Sequence, residues 1–109
     1  MNVLFICSRN QWRSRTAETI FRNDPRFQVR SAGTSSTARI RVNSGLINWA
    51  DLILVMEHHH KERLMETFGA QLQHKEIMVL EIPDNYQYMD AELVDELKDA
   101  VDLYFESRF

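Results

Sequence analysis

The sequence predicts an α/β fold with a single parallel sheet of four strands and helices on both faces of that sheet. Short apolar runs alternate along the chain with segments whose apolar residues recur at helical spacing, which is typical of β-α-β units. The apolar run at 3–6 is unbroken, as expected for a central strand that is covered on both sides. The 109 residues suit a single domain over 1–109, and no repeat or linker divides them.

The individual elements follow from this patterning and from the residues that interrupt it. After the first strand, a helix carries Ala17, Ile20 and Phe21 on one face and stops at the turn-forming residues 23–25. Gly69 is expected to close a later helix as its C-cap. The remaining predicted strands lie at 27–32, 51–56 and 76–82, and the remaining predicted helices at 43–48, 58–68 and 91–105.

Composition excludes several classes of protein. A net charge of −3, from 13 basic and 16 acidic residues, argues against a general nucleic-acid binder. No apolar stretch approaches the length of a membrane span. One cysteine allows neither an internal disulfide nor a cysteine cluster for zinc or iron–sulfur, which fits a reducing compartment. We therefore expect a cytoplasmic protein that needs no cofactor and does not associate with membranes.

The polar loop between the first strand and the first helix has the composition of a phosphate cradle. Its ends are Cys7 and Arg13, separated by five residues. A loop entering a helix N-terminus can aim backbone N–H groups and a positive dipole at an anion, which also favours a thiolate. An arginine can grip two phosphoryl oxygens with its planar fork. The predicted phosphate-binding residues beside this pair are Ser8, Arg9, Asn10, Gln11, Trp12 and Ser14.

Asp84 is the candidate general acid for the leaving oxygen. It follows the fourth predicted strand, and Cys7 follows the first, so both are expected at one rim of a parallel sheet. The surrounding Pro-Asp-Asn-Tyr stretch is also a good turn sequence, so the alternative that Asp84 only stabilises a turn stays open. Asp90 is a rival acid, although it suits the N-cap of the last helix. No metal is expected in this chemistry.

These residues resemble the low-molecular-weight protein tyrosine phosphatase family. That family opens with an apolar strand and a Cys-x-Gly-Asn-x-Cys-Arg-Ser loop, where this chain has Cys-Ser-Arg-Asn-Gln-Trp-Arg-Ser. The family's Ser-Ala-Gly-Thr, Ala-Arg and Asp-Pro-Tyr segments correspond to 31–34, 38–39 and 84–86. The match covers nearly the whole chain in order. The resemblance implies one domain of that type with the flavodoxin-like strand order 2-1-3-4.

The resemblance also implies roles for individual residues. Cys7 would be the nucleophile, Arg13 the transition-state clamp and Asp84 the general acid. Asn10 would brace the loop, and Ser14 would support the thiolate. Tyr86 and Trp12 would form the walls of the substrate site. The loop would bind phosphate, sulfate or vanadate.

Several positions depart from the family pattern. Arg9 stands where the family has glycine, which would strain the backbone if that position needs a positive φ. Trp12 replaces a second cysteine, so no disulfide can protect the nucleophile from oxidation. Ser36 stands where the family has a histidine that braces the loop, and Asn85 replaces a proline. The chain is shorter around 35–48, a region that shapes the substrate mouth.

Three functions remain open at this point. The first is a phosphomonoester hydrolase that forms a phosphocysteine and acts on protein phosphotyrosine. The second is the same chemistry on a small phosphoester, such as a nucleotide or an RNA end, which the extra charge of Arg9 favours. The third is a phosphate-binding module without catalysis. Residues 58–60, three consecutive histidines, are expected to form a solvated helix start, because neighbouring residues on a helix diverge.

Overall fold

Four parallel strands form one sheet with the order β2-β1-β3-β4 in a computed structural model that describes residues 1–108. This confirms the predicted α/β class and the 2-1-3-4 order. The first strand lies between β2 and β3, in agreement with its unbroken apolar run. The strands are β1 (Asn2–Cys7), β2 (Gln28–Gly33), β3 (Leu52–Val55) and β4 (Glu76–Val79).

Four helices connect and follow these strands. Asn43 caps the second of them, because its side chain accepts a hydrogen bond of 2.9 Å from the backbone N–H of Leu46. None of the described helices is apolar enough over a sufficient length to cross a bilayer. The helices are α1 (Arg13–Phe21), α2 (Ser44–Trp49), α3 (His58–Leu72) and α4 (Ala91–Arg108).

The sheet separates two apolar cores. Alternate side chains of β1 point to opposite faces, so Val3 and Phe5 pack on the side of α1 and α4, while Leu4 and Ile6 pack on the other. Residues of α2 and α3 cover this second side, among them Ile47 and Leu64. The alternation places Cys7 on the α1 side, where its sulfur contacts Ser14 in the first turn of α1.

Three predicted boundaries are wrong by three or four residues. Helix α3 does not stop at Gly69 but continues to Leu72, with a local kink at Phe68, where φ is −124° and ψ is 22°. Strand β4 ends at Val79 instead of 82, because Glu81 adopts a φ of 58°, outside the range of a strand. Helix α4 extends beyond residue 105 to Arg108.

Candidate active site

An open pocket of about 240 Å³ lies at the carboxyl end of β1. Most of its wall comes from the loop that joins β1 to α1, and one further residue comes from the segment after β4. The structure thus brings the predicted nucleophile and the predicted acid to one rim of the sheet. The lining residues are Cys7, Ser8, Arg9, Gln11, Trp12, Arg13 and Asp84.

The backbone of the loop is turned so that its carbonyl groups face away from this pocket. Every carbonyl from 7 to 10 accepts a hydrogen bond from the segment 34–39. These bonds join Thr34 N to Cys7 O (3.0 Å), Ser35 N to Ser8 O (2.9 Å), Arg39 N to Arg9 O (2.9 Å) and Arg39 Nε to Asn10 O (3.0 Å). In contrast, the N–H groups of Ser8, Arg9, Gln11 and Trp12 have no acceptor within residues 1–108. Backbone N–H groups left unpaired beside a pocket are a concave donor site for an anion.

Gly33 allows this second segment to approach the loop. A Cβ atom at this position would lie 2.4 Å from the carbonyl oxygen of Ser8 and 2.8 Å from the Cβ of Ala38. Close packing of the two backbones therefore requires glycine at this position. Any side chain at this position would push the phosphate loop away from the segment that holds it.

The sulfur of Cys7 lies in a polar environment although the residue is only 3% exposed. The Oγ of Ser14 is 2.9 Å from the Sγ, and the N–H of Asn10 donates to the same sulfur at 3.2 Å. A core cysteine packs against apolar groups alone, whereas this sulfur faces two groups able to stabilise a negative charge. Ser14 is thus within hydrogen-bonding distance of the sulfur, and its support of a thiolate stays a prediction.

Asn10 holds the loop from its interior. Its backbone has a positive φ of 57°, and its amide nitrogen donates to the hydroxyl groups of Ser14 (2.7 Å) and Ser31 (2.9 Å). The hydroxyl of Ser31 in turn donates to Glu18 on α1. Asparagine tolerates this left-handed conformation better than most residues.

This arrangement bears on two of the departures from the family pattern. The left-handed residue of the loop is Asn10, and Arg9 is not among the described residues with positive φ. Arg9 is therefore not strained, and its side chain is exposed at the pocket. Ser36, where the family has a histidine, is exposed, and Asn10 is held by Ser14 and Ser31 through its amide nitrogen while its Oδ1 has no hydrogen-bond partner among the described residues.

Arg13 begins α1 and is buried between two hydrogen-bond acceptors and a nearby carboxylate. Its Nη1 donates to the carboxylate of Glu57 and, at 2.8 Å, to the carbonyl oxygen of Ile82. Its Nε lies 3.7 Å from Oδ1 of Asp84. Partial burial raises the pKa of Glu57, but the hydrogen bond and charge of Arg13 outweigh this effect, so that the pKa lies below its usual value. Glu57 is thus an anion that fixes the guanidinium beside the cysteine.

Asp84 occupies the loop after β4, where the sequence placed it. Its side chain is 58% exposed, lines the same pocket as Cys7 and approaches Arg13. Asp90 does not line this pocket; its carboxylate accepts a hydrogen bond of 2.9 Å from the N–H of Glu92 at the start of α4. Of the two carboxylates, Asp84 lines the pocket and Asp90 caps α4.

Tyr86 does not form a wall of the pocket, and this part of the prediction is wrong. The ring is 7% exposed within the core between α4 and the sheet, and its hydroxyl donates to Glu96 at 3.1 Å. An apolar ring two residues after Asp84 gains more from burial in this core than from exposure at the rim. Trp12 remains as the predicted wall, since it lines the pocket and is 44% exposed.

His60 is a loop-supporting residue that sequence reasoning missed. It is fully buried, and burial together with the nearby charges of His59 and Arg13 lowers its pKa to about 3. Its Nδ1 accepts the backbone N–H of Glu57 at 3.0 Å, so the proton of the neutral ring resides on Nε2 and is donated to Ser8 Oγ at 2.9 Å. The sequence does contain a signal for an ordered role of His60, because Glu57 and His60 have the spacing of a capping box, at the N-cap and N3 positions of α3.

Solved structures similar to this chain include phosphatases. The YwlE arginine phosphatase from Geobacillus stearothermophilus matches with a TM-score of 0.76 and 22% identity, covering 97% of this chain and 91% of that one. The tyrosine phosphatase Wzb from Escherichia coli K30, in complex with phosphate, gives 0.78 and 24%, covering 97% and 96%. Vibrio vulnificus Wzb in complex with benzylphosphonate gives 0.77 and 22%, covering 97% of each chain.

Sequence comparison adds no closer relationship. No family model matches the chain, and no curated protein matches it. At these identities the structural similarity establishes the architecture. The chain therefore has the fold that the YwlE and Wzb phosphatases share.

Proposed function

We propose that this protein is a phosphomonoester hydrolase of the low-molecular-weight protein tyrosine phosphatase family, acting through a phosphocysteine intermediate. The observation that carries the proposal is the orientation of the loop: its carbonyls at 7–10 accept hydrogen bonds from the segment 34–39, and four of its N–H groups, left unpaired within the described part of the chain, belong to residues that line the same pocket as Cys7. Such donors stabilise the charge that a phosphoryl group develops on its equatorial oxygens.

The reaction needs only residues of this pocket. The thiolate of Cys7 attacks phosphorus, a P–S bond forms, and the bond from phosphorus to the leaving oxygen breaks. Asp84 gives its proton to that oxygen. Water then attacks the phosphocysteine, Asp84 accepts a proton from the water, and phosphate leaves with restoration of the thiolate. Arg13 and the loop N–H groups hold the phosphoryl oxygens during both steps.

Protein phosphotyrosine is the first substrate candidate. The exposed ring of Trp12 offers a flat surface for a phenyl group, and similar structures include tyrosine phosphatases, one of them with benzylphosphonate bound. Phosphate, sulfate and vanadate would occupy the same loop. Hydrolysis in the cytoplasm is consistent with a reactive thiol, which a reducing compartment keeps active.

The decisive test is direct detection of the intermediate. The wild-type protein is incubated with p-nitrophenyl phosphate in the presence of a chelator, quenched with acid and analysed by mass spectrometry. Turnover together with a phosphoryl group on the peptide that contains Cys7 supports the proposal. Binding of phosphate without turnover or adduct would instead assign the protein to the non-catalytic binding modules.

Asp84→Asn is expected to slow hydrolysis of a phosphotyrosine peptide by about 10²-fold, the usual contribution of a positioned general acid. The effect on p-nitrophenyl phosphate should be smaller, because nitrophenolate is a more stable leaving anion. Asp90→Asn is the matched control, since asparagine also caps helices well and Asp90 lies outside the pocket. Steady-state rates on both substrates check this; equal slowing by the two variants would remove Asp84 from the mechanism.

A small phosphoester with a second anionic group is the alternative substrate. Arg9 supports it: the side chain lines the pocket and has no ion-pair partner among residues 1–108, although the chain carries 16 acidic residues. Because Tyr86 is buried in the core, the pocket also offers less aromatic surface for a phenyl ring.

Arg9→Gln separates the two substrate classes. If the substrate carries a second phosphate, the variant should lose about tenfold in kcat/KM on a 5′-phosphorylated dinucleotide, because a hydrogen bond to a charged group contributes about that factor. On a phosphotyrosine peptide, kcat/KM should change little. Lys98→Gln on α4 is the control, since that exposed cation does not line the pocket. Faster turnover of the peptide by wild type, with no effect of Arg9→Gln on the dinucleotide, would favour phosphotyrosine.

A further inference from the structure

A second open pocket, of about 360 Å³, lies next to the phosphate site and shares Glu57 with its supporting network. It is lined by two histidines and two glutamates together with Pro83. Helix α3 contributes the histidines at its first two positions, and the left-handed backbone of Glu81, with a φ of 58°, brings the second carboxylate to the same pocket. The lining residues are Glu57, His58, His59, Glu81 and Pro83.

The spacing of these groups matches that of neighbouring ligands around a metal ion, and the His58–Glu81 pair is also within reach of a long hydrogen bond. The Nε2 of His59 lies 3.5 Å from Oε1 of Glu57, and the Nε2 of His58 lies 3.4 Å from Oε1 of Glu81. A tetrahedral zinc ion with ligand bonds of about 2.1 Å separates each pair of ligand atoms by about 3.4 Å. Both histidine–carboxylate pairs therefore already have the separation of two zinc ligands.

His60 is close to this group but is not a ligand. Its Nδ1 accepts the N–H of Glu57, and its Nε2 donates to Ser8, so neither ring nitrogen is free for a metal. We propose that Glu57 and His59 form the core of a zinc-type cation site, which His58 and Glu81 complete from across the same pocket. The side chains of His58 and Glu81 are 71% and 75% exposed, so that they can rotate toward an ion held by the first pair.

This site would act on the phosphate cradle through Glu57. The Oε1 atom that faces His59 is the same oxygen that accepts the hydrogen bond of Arg13. A cation and the guanidinium compete for one oxygen atom, and their positive charges repel each other. Bound zinc would therefore release Arg13 from the position that Glu57 gives it, and anion binding and zinc binding would weaken each other by the same factor.

Zinc binding is tested first on the Cys7→Ser protein, so that the thiolate cannot bind the ion. Isothermal titration with Zn²⁺ in a phosphate-free buffer should show one site. His59→Ala in that background should weaken its affinity by at least about tenfold, since even indirect partners of a metal contribute that much. His74→Ala is the control, because His74 is exposed before β4 and lies outside the pocket. No binding, or equal binding with and without His59, would overturn the proposal.

The coupling to Arg13 is tested separately, and only this arm depends on the proposed function. Zn²⁺ should inhibit hydrolysis by the wild-type protein, a chelator should reverse this, and the concentration for half inhibition should rise at least about tenfold in His59→Ala but not in His74→Ala. Inhibition that is undiminished in His59→Ala would place the inhibiting zinc on Cys7 and refute the coupling. Failure of the hydrolase proposal would leave the titration with Zn²⁺ unaffected.

Discussion

Replacing Cys7 with serine is expected to abolish turnover of p-nitrophenyl phosphate, with a fall in kcat of about 10⁴-fold or more, as is usual for removal of a nucleophile. A hydroxyl is hardly ionised near neutral pH, so it cannot replace the thiolate as attacking group. Binding of inorganic phosphate should persist, because the loop N–H groups and Arg13 do not depend on the sulfur. Kinetics and isothermal titration calorimetry measure the two quantities on the same preparation.

The separation of rate from binding makes this prediction specific. Loss of both activity and phosphate affinity would mean that the variant disturbs the loop, and a thermal melt compared with wild type would identify that case. Conservative replacement of a sulfur that contacts Ser14 and the N–H of Asn10 should leave the fold intact. Substantial turnover by the serine variant with unchanged binding would exclude the phosphocysteine route.

The parts of the site that the sequence predicted are those encoded within short stretches of chain. The strand at 3–6, the loop and the start of α1 follow one another directly, so Cys7 and Arg13 could be placed from spacing alone. Asp84 was placed by a topological rule, because the ends of parallel strands meet at one edge of a sheet.

The parts that the sequence did not predict depend on distant contacts. The loop residue with positive φ is Asn10, whose side chain is held there by a bond to Ser31, 21 residues away, and this contact cannot be inferred from the loop alone. The burial of Tyr86 depends on a helix that begins after it. The sequence predicts that all three histidines at 58–60 are solvated. Three consecutive helical residues face three directions, however, and His60 is buried against Ser8 of the phosphate loop.

Helix α3 illustrates how these distant contacts combine. Its N-cap residue Glu57 holds Arg13, and its third residue His60 holds Ser8, so one helix end supports both ends of the phosphate loop. Neither contact is visible in a local motif. The geometry of Arg13 consequently depends on two elements that lie far from it in sequence, β4 with its following loop and α3.

Arg13→Lys is expected to lower kcat on p-nitrophenyl phosphate by about 10²- to 10³-fold, the cost of losing one fixed donor to a transition state. The guanidinium bonds Glu57 and the carbonyl of Ile82 through Nη1 alone, which leaves its other nitrogens for the phosphoryl group. An ammonium group has one centre of charge and cannot hold two protein acceptors and two phosphoryl oxygens in one plane.

The change should affect kcat far more than KM, because the fork is needed chiefly when charge develops on the equatorial oxygens. Arg15→Lys is the matched control: the residue lies on the same helix, but its guanidinium is exposed and stacks on the ring of Tyr88 at 4.6 Å. Its kinetics should stay close to wild type. If Arg13→Lys keeps kcat within a factor of about ten, positive charge alone suffices at this position. The loop N–H groups then supply the transition-state geometry without the planar guanidinium.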